Sequence, residues 1–313
     1  MKSLIRSNTM KTSPASRKPL NSKLGIILIL LAMFCFASMD GMSKYLGQRY
    51  DIVGVVMIRM WFFALFVIGW SAMKPGGIKA VAKTDQLLVQ IIRGTILTLQ
   101  ICVIVTSFVV VGLAQTHAIF ACYPLLVVLL SIIFLRERVG WQRLTAIVVG
   151  CLGVLLIIQP GTSVFQPEAL IAVLATLGFA SYNVLTRYVA RKDLSDTSFF
   201  WTGITAGILM SFIGPFFWTP IRMEDWFILF MLCLTSMVGH FLMIRALEVA
   251  ETTTLQPFTL LQIVYSTIIG LVLFKEVVSP HVFVGAGIII ASGLFAFWRE
   301  ARVKKRPHVL EQN

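Results

Sequence analysis

The sequence predicts an all-α integral membrane protein of ten transmembrane helices, arranged as two inverted five-helix repeats. Three observations carry that expectation. The chain of 313 residues is 58% hydrophobic and only 13% charged, a balance foreign to soluble domains of this size. Its apolar stretches approach the roughly 20 residues that a spanning helix needs, because lipid offers backbone groups no hydrogen-bond partner. Finally, one passage occurs twice without a gap: Phe36-Ala37-Ser38 through Lys44-Tyr45 returns as Phe179-Ala180-Ser181 through Arg187-Tyr188.

Taken in order, the first span (24–46) contains the first copy of that passage, with Asp40 inside it. The second (52–73) contains Arg59, and the third (88–110) begins near Arg93 and holds Gln100 midway. The fourth (113–134) starts near His117, contains Tyr123 and Pro124, and ends in Leu135-Arg136-Glu137. Gly150 and Gly153 mark the fifth (141–158). The sixth (168–190) contains the second copy, with Asn183 at the position of Asp40. The seventh (197–217) holds Trp201 and Pro215, and the eighth (226–248) holds His240. The ninth (253–274) has Pro257 near its start, Gln262 and Tyr265 in its middle, and Phe274-Lys275-Glu276 at its end. The tenth (281–298) carries Gly285, Gly287 and Gly293. The longest connection, 74–87, is too short to fold alone, so no soluble domain is expected. The organisation is therefore a disordered cytoplasmic tail (1–22), a first repeat (24–158), a second repeat (168–298) and a cytoplasmic tail (303–313). The first apolar stretch is too long for a signal-peptide core and reads as a retained helix.

The net charge of +13 is a matter of topology, and nucleic acid is excluded as a partner. Lys74, Lys79 and Lys83, then Arg136, Arg138 and Arg143, fall on the same side as both basic tails. The opposite loops hold only Lys44, Arg49, Arg222 and Lys275. Positive loops stay cytoplasmic, which places both termini inside, in a bacterial inner membrane. An odd number of helices per repeat inserts the second copy upside down, and inverted repeats support alternating access around a site near the midplane.

Cys35, Cys102, Cys122, Cys151 and Cys233 lie in apolar spans without metal-ligand spacing, so neither disulfide nor metal is expected. There is no phosphate-binding Gly-x-x-x-x-Gly-Lys-Ser/Thr, no His-Glu-x-x-His and no Gly-x-Ser-x-Gly. ATP-driven transport and intramembrane catalysis are accordingly disfavoured, and no cofactor is expected. The expected partners are a small-molecule substrate, the lipid bilayer and a coupling proton or ion, with a homodimer left open.

The order of Arg59, Pro124, Glu137 and Glu276 ahead of Gly-containing spans resembles the EamA group of the drug/metabolite transporter superfamily, one unit per half. Residues 250–258 leading into Gln262 and Tyr265 are similar to the branch that includes S-adenosylmethionine and riboflavin transporters. The ninth span departs in having Pro257 near its start, where its counterpart Pro124 lies mid-helix. The resemblance implies that spans five and ten are peripheral and that the others line a path for a vitamin or nucleoside-type solute. Amino-acid or drug export is the alternative within that superfamily.

The candidate substrate-binding or coupling residues are Asp40, Arg59, Gln100, Tyr123, Asn183, His240, Gln262 and Tyr265. A charge within lipid costs roughly 2.5–3.5 kcal/mol on insertion scales, so Asp40 and Arg59, on consecutive spans at similar depth, are expected to pair. Lys44, Arg93, Arg187 and Arg245 lie near span ends and are expected to reach out to headgroups. His117 is expected at the interface. Asp40 and His240 are the candidate proton carriers. A reporter fused after Gln166 should report from outside the cytoplasm and one after Lys192 from inside; the reverse pattern refutes the inverted repeat.

Overall fold

A chain in hydrocarbon must satisfy its backbone from within, and this one does so with helices throughout. The computed structural model describes residues 22–135, 141–159, 167–250, 255 and 258–305. In order, these residues form α1 (Ser22–Gly47), α2 (Ile52–Ala72), a short α3 (Gly77–Ala82), α4 (Leu87–Val110), α5 (Leu113–Phe120) and α6 (Tyr123–Leu135). Then come α7 (Trp141–Ile158), α8 (Ala169–Val189), α9 (Ser195–Ile213), α10 (Met223–Val249), α11 (Leu261–Leu273) and α12 (Pro280–Lys305). Seven stretches, with α5–α6 counted as one, are long and apolar enough to cross a membrane. Ile147–Ile158, Leu261–Leu273 and Pro280–Phe295 are apolar but shorter. Residues 1–21, Glu137 and Pro257 lie outside the described residues. The connection expected at 74–87 contains α3, tied to α9 by Trp201 Nε1 donating to the Ala82 carbonyl at 3.0 Å.

The fourth span is expected as one helix and is instead two, broken at Ala121–Cys122. Pro124 explains the break. It has no N–H to give, and its ring crowds the carbonyl four residues earlier. The chain answers by tightening: Cys122 N donates to Ile119 O and Leu125 N to Cys122 O, each at 3.0 Å. At the other join, Asp51 caps α2 by accepting from Val53 N at 2.8 Å.

Packing between the halves exchanges equivalent elements. α1 lies against α10 and α11, while α8, its repeat mate, lies against α4 and the α5–α6 pair. α2 packs on α9, and α7 on α12. The exchange holds for single residues. A Cβ on Gly178 would stand 3.1 Å from Gln100 Cγ, and a Cβ on Gly239 would stand 3.3 Å from Cys35 Cβ. Gly178 occupies the place of Cys35 in the second copy.

α7 and α12 meet backbone to backbone at Gly153 and Gly285. A Cβ on Gly285 would come 2.7 Å from the Gly153 carbonyl oxygen, and one on Gly153 would come 2.9 Å from that of Gly285. A side chain here must push the helices apart, at about 1–3 kcal/mol for overpacking. Gly285→Leu should lower the melting temperature, whereas Gly287→Leu, with nothing within 4 Å of its Cβ, should leave it unchanged. Equal melting of the two variants would refute the close crossing.

Candidate functional site

The two ends of the bundle are tied by polar groups. At the end where α1 finishes, Lys44 forms a buried ion pair with Glu276. The same carboxylate caps α5, accepting from Leu113 N at 2.8 Å and Ala114 N at 3.2 Å. Gly112 (φ +105°) and Gly270 leave room for it, since a Cβ would stand 3.0 and 2.7 Å from the Glu276 Oε2 atom. Nearby, Asp225 accepts from Tyr50 at 2.6 Å and Tyr45 at 3.1 Å. That hydrogen bond, reinforced by burial, pushes the Tyr50 phenol above its ordinary pKa and keeps it a donor.

At the opposite end, Arg93 is 1% exposed. It donates to Tyr182 Oη at 3.2 Å, Thr186 Oγ1 at 3.1 Å, Thr202 Oγ1 at 2.6 Å and the Ser198 carbonyl. Gln90, held by Asp193 at 2.7 Å, supports it from the same helix. Arg93 thereby joins α4 to α8 and α9.

Between the tied ends lies a cavity of about 350 Å³. Asp40, Arg59, Gln100, Tyr123, His240 and Gln262 all line it. Aromatic rings form much of its wall: Phe120, Tyr123 and Phe179 stand with centroids 5.1–5.3 Å apart, and Phe179 stacks on Tyr182. The break before Pro124 turns Phe120 and Tyr123 towards this space.

The Asp40–Arg59 pair is not formed. Asp40, 5% exposed, accepts from Gln262 Nε2 at 3.0 Å, and the same oxygen lies 3.1 Å from His117 Nε2. Arg59 Nη2 reaches Met39 Sδ at 3.0 Å, its Nε is buried without a partner, and among the described residues no carboxylate stands within ion-pair distance. Equal depth on consecutive helices did not bring them together because α5 and α11 supply nearer partners to Asp40.

Other expectations are corrected as well. Lys44 and Arg93 do not reach out to headgroups, since each finds acceptors inside the bundle. Arg187 and Arg245 are exposed. His117 is 4% exposed and stacked on Phe108, inside the bundle and not on its surface. Asn183 turns back to its own helix, donating to the Phe179 carbonyl at 2.7 Å, and does not line the cavity. Tyr265 also misses the cavity, packing edge-on against Phe34 at 5.9 Å, because three residues past Gln262 the helix has turned towards α1. His240 lines the cavity, with Nδ1 2.7 Å from the Ser236 carbonyl and its ring edge-on to Phe36. His117, Glu276 and Arg93 are the residues that sequence reasoning misplaced or left without a partner.

A polar centre enclosed by apolar, membrane-length helices is the architecture of a membrane transporter. The EamA-like transporter family matches this chain twice, over residues 23–159 and 166–298, and the chain belongs to that family. It is similar to the S-adenosylmethionine uptake transporter of Rickettsia felis, with 26% identity over 91% of this chain and 96% of that one. It is also similar to the riboflavin transporter of Brucella anthropi, with 24% identity over 85% and 96%. A solved crystal structure shares the fold, with TM-score 0.58 and 16% identity over 90% of this chain and 98% of that one. The protein is a multi-pass membrane transporter of a small metabolite.

Removing one partner of a buried ion pair leaves the other uncompensated, at about 3–5 kcal/mol. Glu276→Gln should therefore lower the melting temperature markedly, and adding Lys44→Met should recover part of the loss. A single variant that melts like the native protein would show that the pair contributes nothing to stability.

Proposed function

We propose that this protein is a secondary transporter for an S-adenosylmethionine-type solute, an amino-acid zwitterion joined to a nucleoside, moved across the cytoplasmic membrane by alternating access. Both termini would face the cytoplasm. The observation that carries this reading is Arg59, a guanidinium that lines the cavity with no carboxylate among the described residues within ion-pair distance, while the carboxylate of Asp40 lines the same cavity. An unpaired cation at this depth is costly, and a substrate carboxylate offsets the cost with two parallel hydrogen bonds. Asp40 then receives the substrate's cationic group. Phe36, Phe120, Phe179 and Tyr182 offer faces for a flat base, and Gln100, Tyr123 and Gln262 offer polar contacts around it. The cavity volume is within the range of sites for drug-sized ligands. Relatives named for S-adenosylmethionine and riboflavin lend support to a flat, partly polar solute. Riboflavin carries neither carboxylate nor cation and would leave Arg59 and Asp40 unused.

Uptake of labelled S-adenosylmethionine into proteoliposomes, with riboflavin as the competing solute, tests the reading. Arg59→Gln should reduce S-adenosylmethionine transport about tenfold or more, the value of one lost charge-assisted contact. It should not lower the melting temperature, since no carboxylate is left unpaired. Normal transport by Arg59→Gln, or riboflavin uptake without S-adenosylmethionine uptake, would overturn the assignment.

A further inference from the structure

Beside the cavity lies a second, smaller space of about 150 Å³, bounded by residues of α5, α6, α11 and α12. His117, Phe120, Tyr123, Thr259 and Gln262 line both spaces, so the two adjoin. The rest of the smaller wall is largely apolar, from Pro124, Leu260, Ile263, Ile289, Ile290 and Leu294. Gly293 of α12 also lines it, and a Cβ built there meets nothing within 4 Å. An apolar space of this volume holds one flat six-membered ring, such as benzene.

We propose that this annex is a base-binding subsite, which takes the flat nucleobase of a substrate whose charged groups lie at Arg59 and Asp40. This rests on the reading that the substrate is an amino-acid zwitterion joined to a nucleoside. The order of groups along such a solute matches the order of partners in the protein. In S-adenosylmethionine the carboxylate is at one end, the sulfonium in the middle and the adenine at the other end. Arg59 on α2 and Asp40 on α1 line the larger cavity and not the annex. Asp40 accepts from Gln262 at 3.0 Å, and Gln262 lines both spaces. Asp40 therefore stands beside the junction, whereas Arg59 comes from a helix that gives the annex no residue. A carboxylate at Arg59 and a sulfonium at Asp40 direct the nucleoside towards the annex.

The lining favours a base over a lipid tail. Phe120 supplies a ring for stacking, and His117, Tyr123, Thr259 and Gln262 place polar side chains on the wall shared with the cavity. An acyl chain gives such groups no hydrogen bond, whereas the ring nitrogens and amino group of adenine do.

A side chain at Gly293 that fills the annex tests the assignment. Binding is measured on the purified full-length protein for S-adenosylmethionine and for S-methylmethionine, which has the same carboxylate, ammonium and sulfonium but no nucleoside. Gly293→Phe should weaken S-adenosylmethionine binding about tenfold or more, the scale of one lost stacked base, and leave S-methylmethionine within about twofold. Gly293→Leu, a smaller plug, should cost the same ligand less, and it carries the test if the larger ring prevents folding. Gly287→Phe, on the same helix with open space around its Cβ and no place on the annex wall, should change neither. Unchanged S-adenosylmethionine binding in the plugged variants overturns the proposal. Equal loss of both ligands also overturns it, and points to a lipid tail in the annex or to packing that supports the whole cavity. If the native protein binds S-methylmethionine as tightly as S-adenosylmethionine, the base has no subsite and the proposal alone falls. If it binds neither, the substrate reading falls and takes the proposal with it.

Discussion

The carboxylate of Glu276 joins three segments far apart in the chain, and what surrounds it explains why. It lies after α11, takes the ammonium of Lys44 at the end of α1, and accepts two backbone N–H groups at the start of α5. A helix start in hydrocarbon has N–H groups without partners and a partial positive charge, and a carboxylate answers both. Lys44 neutralises that carboxylate in turn. Gly112 and Gly270 are glycines because any Cβ would occupy the space of the acid. The position of α5, and hence of His117 and Phe120 on it, follows from this one buried acid.

The opposite end uses the same principle with different chemistry. Arg93 is a buried cation surrounded by neutral acceptors, hydroxyls and a carbonyl, which spread its charge over α4, α8 and α9. Tyr182 and Thr202 take part in this network and also line the cavity. The binding space therefore lies between two polar ties, one centred on an acid and one on a base. Residues that line the cavity are thus directly continuous with the tie at the Arg93 end.

Packing between the halves gives the inverted repeat its physical content. α1 packs on α10 as its repeat mate α8 packs on α4, so each half covers the other's repeated passage. The two copies have diverged where the site lies: Asp40 faces Gln262 and His117, while Asn183 bonds back into its own helix. A symmetric scaffold thus carries an asymmetric polar centre, which suits a solute whose own ends differ.

The sequence by itself determined that the chain is helical and membrane-embedded and that it is built of two related halves, and of the eight polar residues it singled out within the spans, Asp40, Arg59, Gln100, Tyr123, His240 and Gln262 line one cavity. Those features follow from local composition, from residues repeated at constant spacing, and from the cost of placing polar atoms in lipid. Partner choice was decided only by tertiary structure. Asp40 found His117 and Gln262 in place of Arg59 because α5 and α11 bring those two side chains within reach of its carboxylate. Lys44 and Arg93 looked like residues reaching for headgroups because sequence records their place near a helix end and says nothing of acceptors brought in from other helices. Asn183 and Tyr265 left the cavity for a related reason: a helix presents its faces according to its rotation, and rotation is set by what packs on it. The break at Ala121–Cys122 was signalled by Pro124, yet only the folded chain shows that it turns two aromatic rings into the binding space.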